Sequence, residues 1–407
     1  MYDSSTAAER YSEVVPERLT ALLQQVQQAT GGMVQQTSHQ RSRALMAMGE
    51  AILTERDRIL EANTLDLEIS REMAVPEQVT DWLKLTPERI HRVARILHRL
   101  GDLGSPFDLW MERRRPVGVV ALEYESFSAL GVLAAGLCLR TCNGLLLKGS
   151  NEASQTNQTL VDVLLTALAT TDVSVNVVQL VPANWSDVTR AVFLQQPLLD
   201  LVIPHGRPKL IEQVAAQSVA PVISTYLGGC GLCVCPSADL EAVVEAVMDS
   251  HRGEPDAVNH IESLILVGEF DQNGLAHLWQ RLMTLLRLKG SPELLQWFEP
   301  MATLATEQAQ SPTYNRTLVI HAVATLSAAV DWLNAYGHGR PMGLWTALQD
   351  EVRQFTARAN GVELYINTSP RFYRNPVSAP EIALGMSVET GRVGLKALTR
   401  PQSLFGV

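Results

Sequence analysis

From Val117 onward, short apolar runs alternate with helix-like stretches, and this alternation constrains the fold more than any other feature of the chain. The apolar runs fall at 117–122, 144–148, 176–180, 200–203, 221–223 and 231–235, with helical patterns over 126–142, 152–170, 186–194, 207–217 and 238–250. Buried strands separated by helices pair in parallel, and a parallel sheet needs helices on both faces. A second such series follows: strand 263–267, helix 272–286, strand 317–322, helices 325–335 and 346–358, and strand 362–366. No strong period is visible over 290–312, and the chain from Pro370 is irregular. Upstream, residues 1–15 lack periodicity and read as a disordered tail. A helix is expected from Pro16 to Gly31-Gly32, and a long one from about His39, with Leu45, Met48, Ile52 and Ile59 as its stripe. Thr86-Pro87 is a helix start: threonine caps and proline suits the first turn.

At 407 residues the chain can hold two or three domains, and 46% apolar against 19% charged residues marks it as globular. A net charge of −10 argues against a nucleic-acid partner. The most apolar run, Val117–Leu139, carries Glu123 and Glu125, so no membrane span is expected. The N-terminus lacks an apolar signal core, and five cysteines are an odd count; together they predict reduced thiols and a cytoplasmic protein.

Several chemistry-bearing motifs are absent, among them GxxxxGK[ST], GxSxG, HExxH and a clean GxGxxG. Gly228-Gly229-Cys230-Gly231 leads into a strand and reads as a tight turn rather than a phosphate cradle. Cys230, Cys233 and Cys235, with Cys138 and Cys142, lack the paired spacing of zinc ribbons, so buried thiols are expected and no metal site. His205-Gly206-Arg207-Pro208-Lys209 opens a helix just after a strand, where the dipole favours anions; it reads as a phosphate contact or as an ordinary solvated helix start.

RPVGVVALEYES (115–126), AAGLCLRTCNGLLLKGSNEA (134–153), VQLVP (178–182) and DLVIPHG (200–206) resemble the γ-glutamyl phosphate reductases of the aldehyde dehydrogenase superfamily. EANTLDL (61–67), ADLEAVVEAV (238–247) and YINTSPRF (365–372) extend the resemblance in order along the chain, over about residues 38–400. It implies an aldehyde-dehydrogenase-like α/β fold with two Rossmann-type domains and a small oligomerisation element. The expected division is a cofactor domain over 16–250, a catalytic domain over 251–368, and a tail over 369–407 that returns to the cofactor domain. It also implies NADPH-dependent reduction of γ-glutamyl phosphate in proline synthesis: a thiolate displaces phosphate, and hydride then reduces the thioester. A homo-oligomer is implied as well.

The departures fall on the reaction centre. Where the family reads close to RPGVCNALETLLV, this chain reads EPDAVNHIESL, placing Val258 at the cysteine position. Where the family reads YESRPNV, the superfamily's oxyanion-binding asparagine becomes Ala129. Ser311-Pro312-Thr313 replaces a glutamate near the nicotinamide ribose, and His205 an arginine. The resemblance leaves Lys148, Ser150, Glu152 and Gly206 as candidate NADP(H) contacts, although Lys148 could also be a strand-end lysine facing water. Binding of NADP(H) is expected to be weak or absent.

Three readings follow. One is a relative that has lost reductase activity and acts by binding a small molecule or a protein, in a regulatory or structural role. The second is a working reductase without a cysteine, using His260 as a base or direct hydride transfer. The third is a thiol or metal sensor built on the Cys230 cluster.

Overall fold

The computed structural model describes residues 4–108, 112–125, 127–182, 190, 193–252, 258–290, 294, 302–303, 316–375 and 382–403. The chain divides into two units. The first holds residues up to Thr225, with Arg374–Gly385 and Arg392–Val407, and the second holds Tyr226–Tyr373 with Met386–Gly391.

The first unit opens with a helical layer: α1 (Ser4–Met33), α2 (Ser38–Thr54), α3 (Arg56–Glu72), α4 (Glu77–Leu83) and α5 (Pro87–Asp102). The expected disordered tail over 1–15 is therefore corrected, since α1 begins at Ser4 and runs through Pro16. Alanine and glutamate in that stretch favour helix by propensity, without an apolar stripe to announce it. Thr37 and Gln40 form a reciprocal capping box on α2, and the Thr86 hydroxyl accepts from the Arg89 amide at the start of α5. The long helix expected from His39 breaks at Glu55, yet Ile52 and Ile59 on either side are both fully buried.

Strand β1 (Arg114–Pro116) leads to β2 (Val119–Tyr124), α6 (Ser128–Arg140), β3 (Gly144–Gly149), α7 (Ser154–Leu168), β4 (Val178–Leu180), β5 (Leu201–His205) and α8 (Pro208–Gln217). The sheet has the order β4-β3-β2-β5, with every pairing parallel. Its strands are apolar on both faces, and Leu19, Leu23 and Val26 of α1 pack with Val119, Ala121, Leu146 and Val202 on one of them. The expected strand at 221–223 is reduced to a single bridge, Val222 with Val202. Most of the helix expected at 186–194 lies outside the described residues.

The second unit carries a seven-stranded sheet with α9 (Leu240–Ser250), α10 (Gln272–Met283), α11 (Leu326–Tyr336) and α12 (Gln349–Arg358). Its strands are β6 (Gly228–Val234), β7 (Val258–Val267), β8 (Arg287–Gly290), β9 (Ala302–Thr303), β10 (Thr317–Val323), β11 (Met342–Trp345) and β12 (Leu364–Ile366). They run in the order β12-β11-β6-β7-β10-β8-β9, all parallel. The division of the chain thus differs from the expected boundary at 250/251: β6 hydrogen-bonds β7 and β11, so it belongs to this sheet and takes α9 with it.

The glycines at 228–231 form the first half of β6 rather than a tight turn. A Cβ at Gly229 would lie 2.2 Å from Glu262 Cγ and 2.5 Å from the His260 carbonyl oxygen, so only glycine lets β7 approach this closely. The C-terminal tail forms β13 (Ala383–Ser387), β14 (Gly391–Gly394) and β15 (Thr399–Pro401). Strand β15 pairs antiparallel with β1 of the first unit, while residues up to Tyr373 and Met386–Gly391 belong to the second.

Candidate functional site

In the first sheet, β2 is the first strand in chain order and β5 the fourth, and they are neighbours. The chain runs outward from β2 through β3 to β4 and then crosses back to β5 on the other side of β2, so the strand order reverses there, at the kind of crevice by the carboxyl ends of the strands where doubly wound folds bind ligands. A cleft of about 230 Å³ lies at those ends, lined by Glu123, Lys148, Ser150, Glu152, Arg190 and Arg207 among others. A neighbouring cavity of about 440 Å³ is lined by Glu125, Arg190, Arg207, Lys209 and Gln213. Three of the four residues expected to meet a nucleotide, Lys148, Ser150 and Glu152, are thus brought together.

Their electrostatics differ from the expectation. Lys148 is not a solvated strand-end lysine: its side chain is 15% exposed and its Nζ lies 3.5 Å from Glu123 Oε1. Glu123 is 2% exposed at the end of β2, and the same oxygen accepts from the Arg190 guanidinium. The other oxygen, Oε2, is buried without a hydrogen-bond partner. Ser150 precedes a single 3₁₀ turn at Asn151–Ala153 that contains Glu152 and leads into α7.

At the start of α8, Glu125 Oε2 accepts from the Arg207 amide at 2.8 Å and from Arg207 Nε at 3.0 Å, while Oε1 accepts from Nη2 at 3.0 Å. A Cβ at Gly206 would meet Glu125 Oε2 at 2.8 Å. The anion position expected at Gly206 is therefore taken by the chain's own carboxylate. The hydrogen bonds and charge of Glu125 hold the Arg207 guanidinium even further above its usual range.

Ala129 sits in the first turn of α6 and is half-buried. The adjacent Ser128 is 2% exposed, and its hydroxyl has no hydrogen-bond partner. That buried donor at a helix start was not singled out in the sequence, because a serine there reads as an ordinary cap. His205, at the end of β5, is fully buried, its Nδ1 2.8 Å from Thr225 Oγ1. Burial pushes it down to about 3, helped by Arg374 and opposed by Glu125, so it is neutral at ordinary pH.

In the second unit, Val258 is the first residue of β7 and 6% exposed, opposite Gly228 of β6. Asn259 follows with φ +60, in the left-handed region, and is fully buried. It accepts from the Tyr226 hydroxyl at 3.1 Å and donates to Tyr365 Oη at 3.4 Å. Tyr365 in turn donates to Glu363.

His260 is not at a cleft edge: it is 1% exposed, 3.3 Å from Glu262 Oε1 and stacked on His251 with ring centroids 4.8 Å apart. Glu262 also lies 3.7 Å from Arg340. Burial, with His260 beside it, pushes His251 down to about 3. A base held this way is engaged with protein groups. The Ser311–Thr313 stretch lies outside the described residues.

All five cysteines are buried and reduced. Cys230 shares the β6–β7 core, whereas Cys233 and Cys235 face the opposite side of the sheet. Burial pushes the Cys230 thiol up, Cys233 and Glu262 adding to it, and Cys235 rises to about 12. Buried protonated thiols are poor nucleophiles and poor ligands. Among the described residues no group of three or more histidine, cysteine or acidic side chains is placed to hold a metal, and no helix is long and apolar enough to cross a membrane.

The sequence model of the Aldehyde dehydrogenase family matches residues 4–254. Among similar proteins, the γ-glutamyl phosphate reductase 2 of Synechocystis sp. is 35% identical over 382 residues, covering 89% of this chain and 91% of that one. The γ-glutamyl phosphate reductase of Gloeobacter violaceus is 31% identical, covering 94% and 95%. Among solved structures, the Thermotoga maritima γ-glutamyl phosphate reductase superposes with a TM-score of 0.85 at 23% identity, covering 96% of this chain and 99% of that one. The acetylating aldehyde dehydrogenase of Geobacillus thermoglucosidasius reaches 0.72 at 12% identity, covering 97% of each. These two structural likenesses establish the shared fold.

Proposed function

Because the chain belongs to the aldehyde dehydrogenase family, we propose that it is a γ-glutamyl phosphate reductase relative that has lost the reductase step and acts by binding. What carries the reading is Val258, which the sequence resemblance sets at the nucleophile position and which is buried, at 6% exposure. Valine has no atom that could form a thioester. Cys230 lies on the neighbouring strand, pairing with Ile261, but it is buried and its thiol is held protonated, so it is no substitute. The resemblance sets Ala129 where the superfamily has a side-chain amide for the developing oxyanion, worth about 10²–10³ in rate where an enzyme uses one.

In this reading the chain's residues bind and orient. The switch-point crevice of the first unit suits a dinucleotide, whose nicotinamide would supply hydride chemistry in an active relative. The fit is incomplete, because Glu125 already occupies the start of α8. NADPH is therefore expected to bind more weakly than about 10 μM, or −7 kcal/mol.

A second reading, a working reductase of proline synthesis without a cysteine, is favoured by the near full-length similarity to proteins of that name. Asn259, in its left-handed conformation beside Val258, also favours it, since such strain collects at active sites. One assay separates the two. The purified chain is incubated with NADPH or NADH and either γ-glutamyl phosphate or an aldehyde, and nucleotide absorbance is followed. No turnover is expected. A rate near 1 s⁻¹, unchanged in Val258→Ala, overturns the proposal.

A further inference from the structure

We propose that Glu123 is a specificity-determining residue that turns this crevice away from a 2′-phosphorylated dinucleotide and toward one with unmodified ribose hydroxyls, NAD(H) rather than NADP(H). The inference rests on the binding role proposed above and names the ligand class.

A ribose 2′-phosphate needs uncompensated positive charge, whereas a ribose 2′-hydroxyl needs an acceptor. The crevice offers the second. Its cations, Lys148, Arg190 and Arg207, are matched by Glu123, Glu125 and Glu152. Lys148 and Arg190 both converge on Glu123 Oε1, and Arg207 is bound through its backbone amide and two guanidinium nitrogens to Glu125.

A 2′-phosphate approaching Lys148 would therefore meet a buried carboxylate bound to the same ammonium. Repulsion between like charges is strong where water is largely excluded. Meanwhile Glu123 Oε2 is buried and has no hydrogen-bond partner. A buried carboxylate oxygen without a donor is costly. A ribose hydroxyl at Lys148 brings no further negative charge to this carboxylate, whereas a 2′-phosphate does. The carboxylate acts by position: it sits at the carboxyl end of β2, the strand that borders the switch point.

The test is equilibrium binding, followed by the fluorescence of the reduced nucleotides, with the full chain and no acyl substrate. NADH is expected to bind at least tenfold more tightly than NADPH. Glu123→Gln releases Lys148 and Arg190 from the carboxylate, and should shift the NADH/NADPH ratio at least tenfold toward NADPH. Lys148→Met in the otherwise unmodified chain should weaken NADPH binding less than threefold, because that charge is already engaged.

NADPH binding as tightly as NADH to the unmodified chain overturns the proposal. So does binding of neither nucleotide at about millimolar concentration, or a tenfold loss of NADPH affinity in Lys148→Met. The ratio in the unmodified chain decides the matter even if Glu123→Gln fails to fold. Turnover without a cysteine would overturn the reductase-silent reading and leave this ratio standing.

Discussion

On the proposed reading the reaction centre carries two absences, at Val258 and Ala129, and restoring one does not restore the other. Members of a catalytic unit are strongly non-additive, and losing the nucleophile alone commonly costs on the order of 10⁴-fold or more. Val258→Cys is expected to give a thiol that a maleimide labels slowly, because the position is 6% exposed, and no measurable turnover. Val258→Cys with Ala129→Asn is the variant in which activity is expected first, read as nucleotide oxidation with γ-glutamyl phosphate. Turnover in the single variant would show that Ser128 or another donor already serves the oxyanion.

His205 permits a different test. Folded, it titrates near 3; unfolded, near 6.5. Below pH 6.5 the unfolded chain takes up a proton that the folded chain refuses. The stabilisation is therefore complete above 6.5 and lost as pH falls toward 3. Between pH 7 and 5 this costs about 2 kcal/mol. His205→Gln should remove that slope, seen as denaturant midpoints at pH 7 and 5 that lie closer together than in the unmodified chain. An unchanged acid slope would mean that His205 is protonated in the folded state. At this scale the sequence was legible where a residue type is decisive by itself, as at Thr86, whose hydroxyl caps α5. It was silent where meaning comes from a neighbour: Glu123 and Glu125 looked like charges interrupting an apolar run, and only the fold shows that one takes Lys148 and the other the start of α8.

The pairing of β6 with β7 rests on glycine at 228 and 229. In Gly229→Ala the new methyl would collide with the Glu262 stem and the His260 carbonyl, and neither is a flexible side-chain end. A loss of about 1–3 kcal/mol in the chemical denaturation of the second unit is expected. A neutral effect would mean that the two strands can part without consequence. Strand and helix identity was largely readable, because apolar runs and a cap such as Thr86 are local signals. The failures share a cause. Strand β7 starts five residues earlier than expected because Asn259, His260 and Glu262 break its apolar run, yet His260 and Glu262 pair with each other inside the unit. Strand β8, four residues with an arginine and a lysine, gives no apolar signal at all. The start of α1 depends on propensity alone, where periodicity offers nothing.

For the whole molecule, resemblance and alternation together identified the fold class. The boundary between units was misplaced because nothing in the sequence says which of two sheets a strand will join. The homo-oligomer implied by the resemblance is a proposal that light scattering checks directly: a mass of at least twice 44.7 kDa is expected, and a monomer rejects it. A last consequence concerns the order in which a ribosome delivers the parts. In sequence the second unit interrupts the first: its residues 226–373 emerge as one block, followed only by its short piece Met386–Gly391. The first unit begins earlier but is completed only when Pro401 reaches Arg114, 287 residues later. At about 5–20 residues per second, that leaves β1 without its partner for on the order of fifteen to sixty seconds. The portion made first is thus the portion finished last, and in the interim it offers an unpaired strand edge to any chaperone, or any other nascent chain, that can supply a strand.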